Sequence, residues 1–234
     1  MNYPAARISS ERSVDLYNSG EYLAAHPTWH REDAAWKARH VAAILARNGV
    51  SPGSICDIGC GPGAVLDALR SHFPDAELIG RDISLTALEM SAPGMSLSQG
   101  SAEGAPYCDL ALALDVFEHV DDYPEFLRAM RGAATHKVYH IPLDISVQAV
   151  LRGTLIRNRE HSGHIHMFTR ETALAALRES GHRVIDWRYT CGAAERPTTT
   201  MQRVMGVPRL IANRLAPDLA SRVLGGYSLL VLCH

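Results

Sequence analysis

Residues 55–63 read Ile-Cys-Asp-Ile-Gly-Cys-Gly-Pro-Gly, a short apolar run that ends in three glycines within five positions. No other stretch of the chain constrains its fold so tightly. Glycine allows left-handed backbone and the close approach of a ligand. A helix pattern follows at once in Ala64, Val65, Leu66, Ala68 and Leu69, and a helix N-terminus presents unpaired N–H groups. Asp82 then closes the next apolar segment. An acidic residue at that place can accept hydrogen bonds from ribose hydroxyls. Strand, glycine turn, helix and acidic second-strand end together describe a nucleoside-cofactor site at the carboxyl edge of a parallel sheet.

The nicotinamide fingerprint is Gly-x-Gly-x-x-Gly, whereas from Gly59 the chain reads Gly-Cys-Gly-Pro-Gly-Ala. Asp57 heads an Asp-x-Gly-x-Gly-x-Gly run that resembles the first motif of class I S-adenosylmethionine-dependent methyltransferases. Three further segments follow in that family's order. Glu77 to Ser84 resembles its second strand. Gln99-Gly100-Ser101-Ala102-Glu103 lies where its third strand ends. Asp109 to Val120, ending Asp-Val-Phe-Glu-His-Val, resembles the fourth strand and post-strand segment of the ubiquinone-biosynthesis-like, small-molecule branch. The resemblance covers roughly residues 50–190.

That resemblance implies S-adenosyl-L-methionine as cofactor. It assigns Asp57, Gly59, Cys60, Gly61 and Gly63 to the turn, and Asp82 with Ile83 to the ribose. Ser101 and Ala102 fall to the adenine, and Asp115 and Val116 to the segment after the fourth strand. The family often has an aspartate at the third-strand place, where this chain has Ser101 or Glu103. On the first helix, Trp36 can shield a sulfonium by cation–π attraction, and Lys37 can pair with the cofactor carboxylate.

From Ser54 onward the pattern alternates strand and helix, which implies a mostly parallel sheet covered on both faces. Strands are expected near 54–58, 77–81, 95–99, 109–114, 136–141, 183–190 and 226–233. Helices are expected near 29–48, 63–72, 84–91, 122–131, 170–180 and 201–215. Thr169 suits an N-cap, Gly49 and Gly181 suit C-caps, and Pro124 suits a first helical turn. The resemblance makes the last of seven strands antiparallel in a Rossmann-like α/β fold. Residues 1–50 then read as a helical extension capping the cofactor site, and 51–234 as the methyltransferase domain. Two substrate-side insertions, near 142–168 and 191–225, exceed the usual loop length of about 4–6 residues.

Methyl transfer from a sulfonium needs position, shielding and sometimes a base. Histidine is the side chain best matched to neutral pH, and the chain has 12. His119, His140 and His164 are the candidate bases, and His161, His166 and Arg152 are candidate acceptor contacts. The run His-Ser-Gly-His-Ile-His could also read as metal ligands, but Glu160 is the only carboxylate near it in sequence. The resemblance assigns the run to substrate contact, so no metal is expected.

A net charge of −2 argues against strong nonspecific nucleic-acid binding. Residues 1–125 hold 8 Lys/Arg against 18 Asp/Glu, and the rest hold 15 against 7. A basic rim over the second half would recruit an anionic substrate. Five cysteines without clustered spacing, no apolar leader and no apolar run of membrane length make a cytoplasmic protein the expectation. The expected function is methylation of a small molecule at oxygen or nitrogen. RNA or protein methylation and a non-catalytic cofactor-binding module are the alternatives. The oligomeric state is left open, a homodimer being compatible with the sequence.

Overall fold

The computed structural model describes residues 23–24, 27–196, 206, 209, 211–212 and 214–234. Among these residues seven strands form one sheet: β1 Ser54–Ile58, β2 Glu77–Asp82, β3 Ser96–Gln99, β4 Cys108–Leu114, β5 Ala134–Pro142, β6 Val184–Thr190 and β7 Ser228–Cys233. Their order is β3-β2-β1-β4-β5-β7-β6. Only β7 runs antiparallel, wedged between β5 and β6. The expected Rossmann-like α/β class and the antiparallel last strand are both present. Strand order reverses between β1 and β4, so a crevice opens beyond their carboxyl ends.

Strict alternation divides the central strands between two cores. Leu110 and Leu112 of β4 join Val41, Ile44, Leu45, Leu66, Leu69 and Leu232 on one face. Ala111 and Ala113 join Phe117, Leu127, Met130, Tyr139 and Leu177 on the other. Both faces of β4 are therefore apolar, which is why its sequence reads as a continuous hydrophobic run.

Helix α1 (Ala34–Arg47) and helix α2 (Ala64–Leu69) cover the first face. Helix α1 starts later than the 29 expected. Trp29 and His30 take left-handed backbone, φ 48° and 56°, and a single 3₁₀ turn, Arg31–Asp33, precedes it. Its end is as read: Gly49 N–H donates to Ala46 O and Val50 N–H to Leu45 O, closing a Schellman motif. Helices α3 (Leu85–Glu89) and α4 (Tyr123–Ala133) come next, α4 with Pro124 in its first turn. The 142–168 insertion folds as α5 (Val147–Leu151) and α6 (Thr154–His161). Helix α7 (Arg170–Glu179) has the expected Thr169 cap, in a reciprocal box with Thr172, and Gly181 beyond its end. Helices α8 (Gly192–Glu195) and α9 (Pro217–Leu224) follow. The helix expected near 201–215 falls mostly outside the described residues. Among those residues no helix is long and apolar enough to cross a membrane. All five cysteines are buried and free.

Candidate active site

The glycine turn hangs beyond the end of β1. Gly59, Gly61 and Gly63 all have positive φ, 77°, 53° and 79°. At Gly59 a Cβ would lie 2.6 Å from Val116, and at Gly61 one would lie 2.8 Å from the Trp29 ring. Side chains are thus excluded by strain and by space. Gly59 and Cys60 donate their N–H groups to Arg81 O, which fastens the turn to β2.

Two buried carboxylates flank the turn. Asp82 Oδ2 accepts from Gly61 N–H at 2.7 Å, and Oδ1 accepts from Ser84 N–H at 2.8 Å. Burial raises its pKa, and these backbone donors oppose the rise. A carboxylate offers about four acceptor positions, so Asp82 keeps capacity for hydroxyl donors. Asp57 is 2% exposed, and its Oδ1 has no hydrogen-bond partner among the described residues. Burial pushes its pKa up to about 7; Lys37 lowers it and Asp82 adds to the rise.

A cavity of about 560 Å³ joins these groups, within the roughly 300–1,000 Å³ typical of small-molecule sites. It brings together Lys37, Asp57, Gly59, Cys60, Gly61, Asp82, Ile83, Ser101, Asp115, Val116, His119 and His164. Of the cofactor residues singled out in the sequence, Trp36, Gly63 and Ala102 lie outside its lining. Gly63 instead starts α2, and Ala102 packs into the core.

Lys37 does not stand alone in the cavity. Its Nζ pairs with Asp115 Oδ2 at 2.7 Å, and Asp115 Oδ1 accepts from His140 Nδ1–H at 2.6 Å. Burial by itself would lower the Lys37 pKa, but Asp115 outweighs it and the net shift is upward. Burial would raise Asp115, yet His140 and Lys37 hold it far below the usual carboxylate range. Asp115 has φ 61° just past β4, so this brace ties α1, β4 and β5 together at a left-handed corner.

The histidines separate by environment. His140 Nε2 lies 2.8 Å from the Thr190 hydroxyl, so both its ring nitrogens are engaged, away from the glycine-turn cavity. His119 donates Nδ1–H to Gly163 O at 3.0 Å. Burial, with His164 beside it, lowers its pKa to about 4, which makes it a weak proton acceptor near neutrality. His164 donates Nδ1–H to Asp144 Oδ2 at 2.7 Å, and a carboxylate there fixes the tautomer. His166 is turned away, donating to Asp121 O and packing on Tyr123. His161 is exposed at the end of α6.

Behind the first cavity lies a second, of about 850 Å³, lined by Trp36, His140, Arg152, Arg157 and Arg196 among others. Trp36 is therefore removed from the glycine turn. Its indole donates to Glu195 Oε2 at 2.7 Å, and the Arg196 guanidinium sits 4.6 Å from its ring. Glu195 and Arg196 gave no sequence signal, since they lie in the insertion before β7. Trp29, an aromatic ring ahead of α1 that the sequence also offers as a shield for a sulfonium, does reach the turn. Only its left-handed backbone brings its ring to the turn.

The model of a family described as "Methyltransferase domain" matches residues 28–186. The chain belongs to that family. Among solved structures, it is similar to an S-adenosylmethionine-dependent methyltransferase from Archaeoglobus fulgidus, with a TM-score of 0.55 and 21% identity over 84% of this chain and 93% of that one. It is also similar to human N-acetylserotonin methyltransferase, solved with S-adenosylmethionine, with a TM-score of 0.62 and 15% identity over 99% of this chain and 60% of that one. Among curated proteins, trans-aconitate 2-methyltransferase of Yersinia pestis is 40% identical over 63 residues. The Methylobacterium radiotolerans protein of the same name is 33% identical over 105 residues, 41% of this chain and 40% of that protein. The Yersinia match spans about a quarter of that relative, 24% of its length.

Proposed function

We propose that the chain transfers a methyl group from S-adenosyl-L-methionine to an oxygen or nitrogen of a small, anionic acceptor. The observation that carries this reading is one cavity containing the buried Asp57, whose Oδ1 has no hydrogen-bond partner among the described residues, the left-handed glycine turn and Asp82. These residues fit the cofactor's parts. Asp57 would hold its ammonium group, the turn backbone its carboxylate end, Asp82 its ribose hydroxyls and Ser101 its adenine edge. When bound, the cofactor supplies an electrophilic methyl carbon. The chain's own residues supply orientation and exclusion of water.

Acceptor chemistry follows from the adjoining cavity. Arg152 and Arg157 line it and pair with no carboxylate among the described residues. Guanidinium groups recognise carboxylates and phosphates in a bidentate fork. The partial relatives named for trans-aconitate, itself a carboxylate, support the same class. Incubation with labelled S-adenosylmethionine and a panel of di- and tricarboxylic acids tests the reading. Label transferred to one of them is the expected result. Transfer only to RNA or protein, or none to any acceptor, would overturn it.

A further inference from the structure

We propose that Glu118, His119 and His164 form a binding site for one divalent transition-metal cation of the Zn²⁺ or Mn²⁺ type, with an open coordination position facing the glycine-turn cavity. Sequence distance hid the site, because its carboxylate comes from 46 positions before His164 rather than from Glu160. Pairing of the chain brings the pieces together. Ile165 and His166 both donate backbone N–H groups to Glu118 O, at 3.0 Å each. One ligand atom from each of the three side chains then lies within 4.8 Å of the others. His119 Nε2 is 3.8 Å from Glu118 Oε1. Ligands at roughly 2.1 Å from a metal stand about 3.0–3.4 Å apart, so a modest inward movement of side chains completes the set.

Three observations point to a cation rather than to packing. Glu118 is wholly buried, and neither carboxylate oxygen has a hydrogen-bond partner among the described residues. A buried carboxylate in that state is costly when ionised, so it holds a proton unless a cation meets it. Each imidazole also has its outward nitrogen held, His119 Nδ1 by Gly163 O and His164 Nδ1 by Asp144. Asp144 is itself fixed by Asn158 Nδ2 at 2.8 Å. This carboxylate–histidine orientation is the outer shell that metal-bound histidines show, and it directs Nε2 inward. Finally, burial, with Asp115 and Asp144 nearby, raises the Glu118 pKa well above the usual carboxylate range while Lys37 opposes the rise, so an ionised Glu118 calls for a further cation. Two imidazoles with one carboxylate suit divalent first-row metals and leave positions open.

His119 and His164 line the same cavity as Asp57 and Asp82. A cation there would seat an acceptor oxygen beside the transferable methyl group. That role rests on the methyltransferase reading, whereas the binding itself does not.

The test uses the full chain, stripped with a chelator and dialysed. Co²⁺ and Zn²⁺ are titrated by calorimetry, and Co²⁺ is also followed by visible absorption. The expected result is one equivalent bound per chain, with d–d bands of a nitrogen–oxygen site. Glu118→Gln, nearly isosteric, and His164→Ala should each weaken uptake about 10-fold or more, as should the positioning variant Asp144→Asn, by about 10–100-fold. His161→Ala should leave uptake unchanged. No stoichiometric uptake by the wild-type chain would overturn the proposal, whatever the variants do. So would uptake that Glu118→Gln and His164→Ala leave intact. A parallel titration with S-adenosylhomocysteine separates the readings: metal uptake without cofactor binding keeps the site and sinks the function.

Discussion

The two ends of the central cavity are built in different ways. The proposed cofactor end draws Asp57, Gly59, Gly61 and Asp82 from 26 consecutive positions, and its geometry is local. Backbone dihedrals set the turn, and backbone N–H groups hold Asp82. The proposed acceptor end joins Lys37, Asp115, His119 and His164, with Glu118 and Asp144 as their neighbours, from four separate segments. Its geometry is tertiary, held by ion pairs and by the backbone pairing of Glu118 with residues 165–166. A site made by local geometry accepts almost no side-chain change. A site made by tertiary contacts can be retuned one residue at a time.

That contrast can be broken by mutation. The largest effect is expected at Gly61. Valine there combines φ 53° with a Cβ only 2.8 Å from Trp29, so cofactor binding should fall below detection by calorimetry while circular dichroism shows a folded chain. Retained binding would show that the turn is not the cofactor cradle. Asp82→Ala removes the partner of two backbone donors and should weaken binding by about 1–3 kcal/mol. Affinity equal to wild type would remove Asp82 from the site.

Asp57 gives a pH signature. Its folded pKa stands near 7 against an ordinary 3.8, so the folded chain holds a proton that the unfolded chain has lost between those values. Stability without cofactor should therefore fall as pH rises from about 4 to 7. Cofactor binding should change in the opposite sense. A cationic ligand favours the ionised carboxylate, so affinity should rise by up to about tenfold per pH unit below 7 and level off above it. Asp57→Asn should flatten both profiles, and an unchanged profile would place the titration elsewhere. The smallest effect is expected at the acceptor rim. Arg152→Ala should raise KM for an anionic acceptor about 2–5-fold, as for one exposed ionic contact, with cofactor affinity untouched. A matching loss of cofactor affinity would dissolve the division between the two ends.

Legibility in the sequence follows the same division. The sheet and the glycine turn could be read because strand–helix alternation and turn chemistry are local signals, whereas the antiparallel last strand was implied only by the family resemblance. The Thr169 and Gly49 helix ends were legible for that reason too. The start of α1 was not, since nothing in the sequence marks Trp29 and His30 as left-handed. Lys37 was assigned to a cofactor carboxylate, but the structure pairs it with Asp115. His140, read as a base, is clamped between Asp115 and Thr190. In each case the deciding partner is distant in sequence, and only the folded chain reveals it.

Calorimetric titration of the wild-type chain with S-adenosylhomocysteine at pH 8, against NADH as control, tests the central assignment most directly. Micromolar binding of the first and no heat from the second is the predicted result. A chain that binds NADH, or that binds neither, would contradict the reading of the turn, Asp57 and Asp82 as a methyl-donor site.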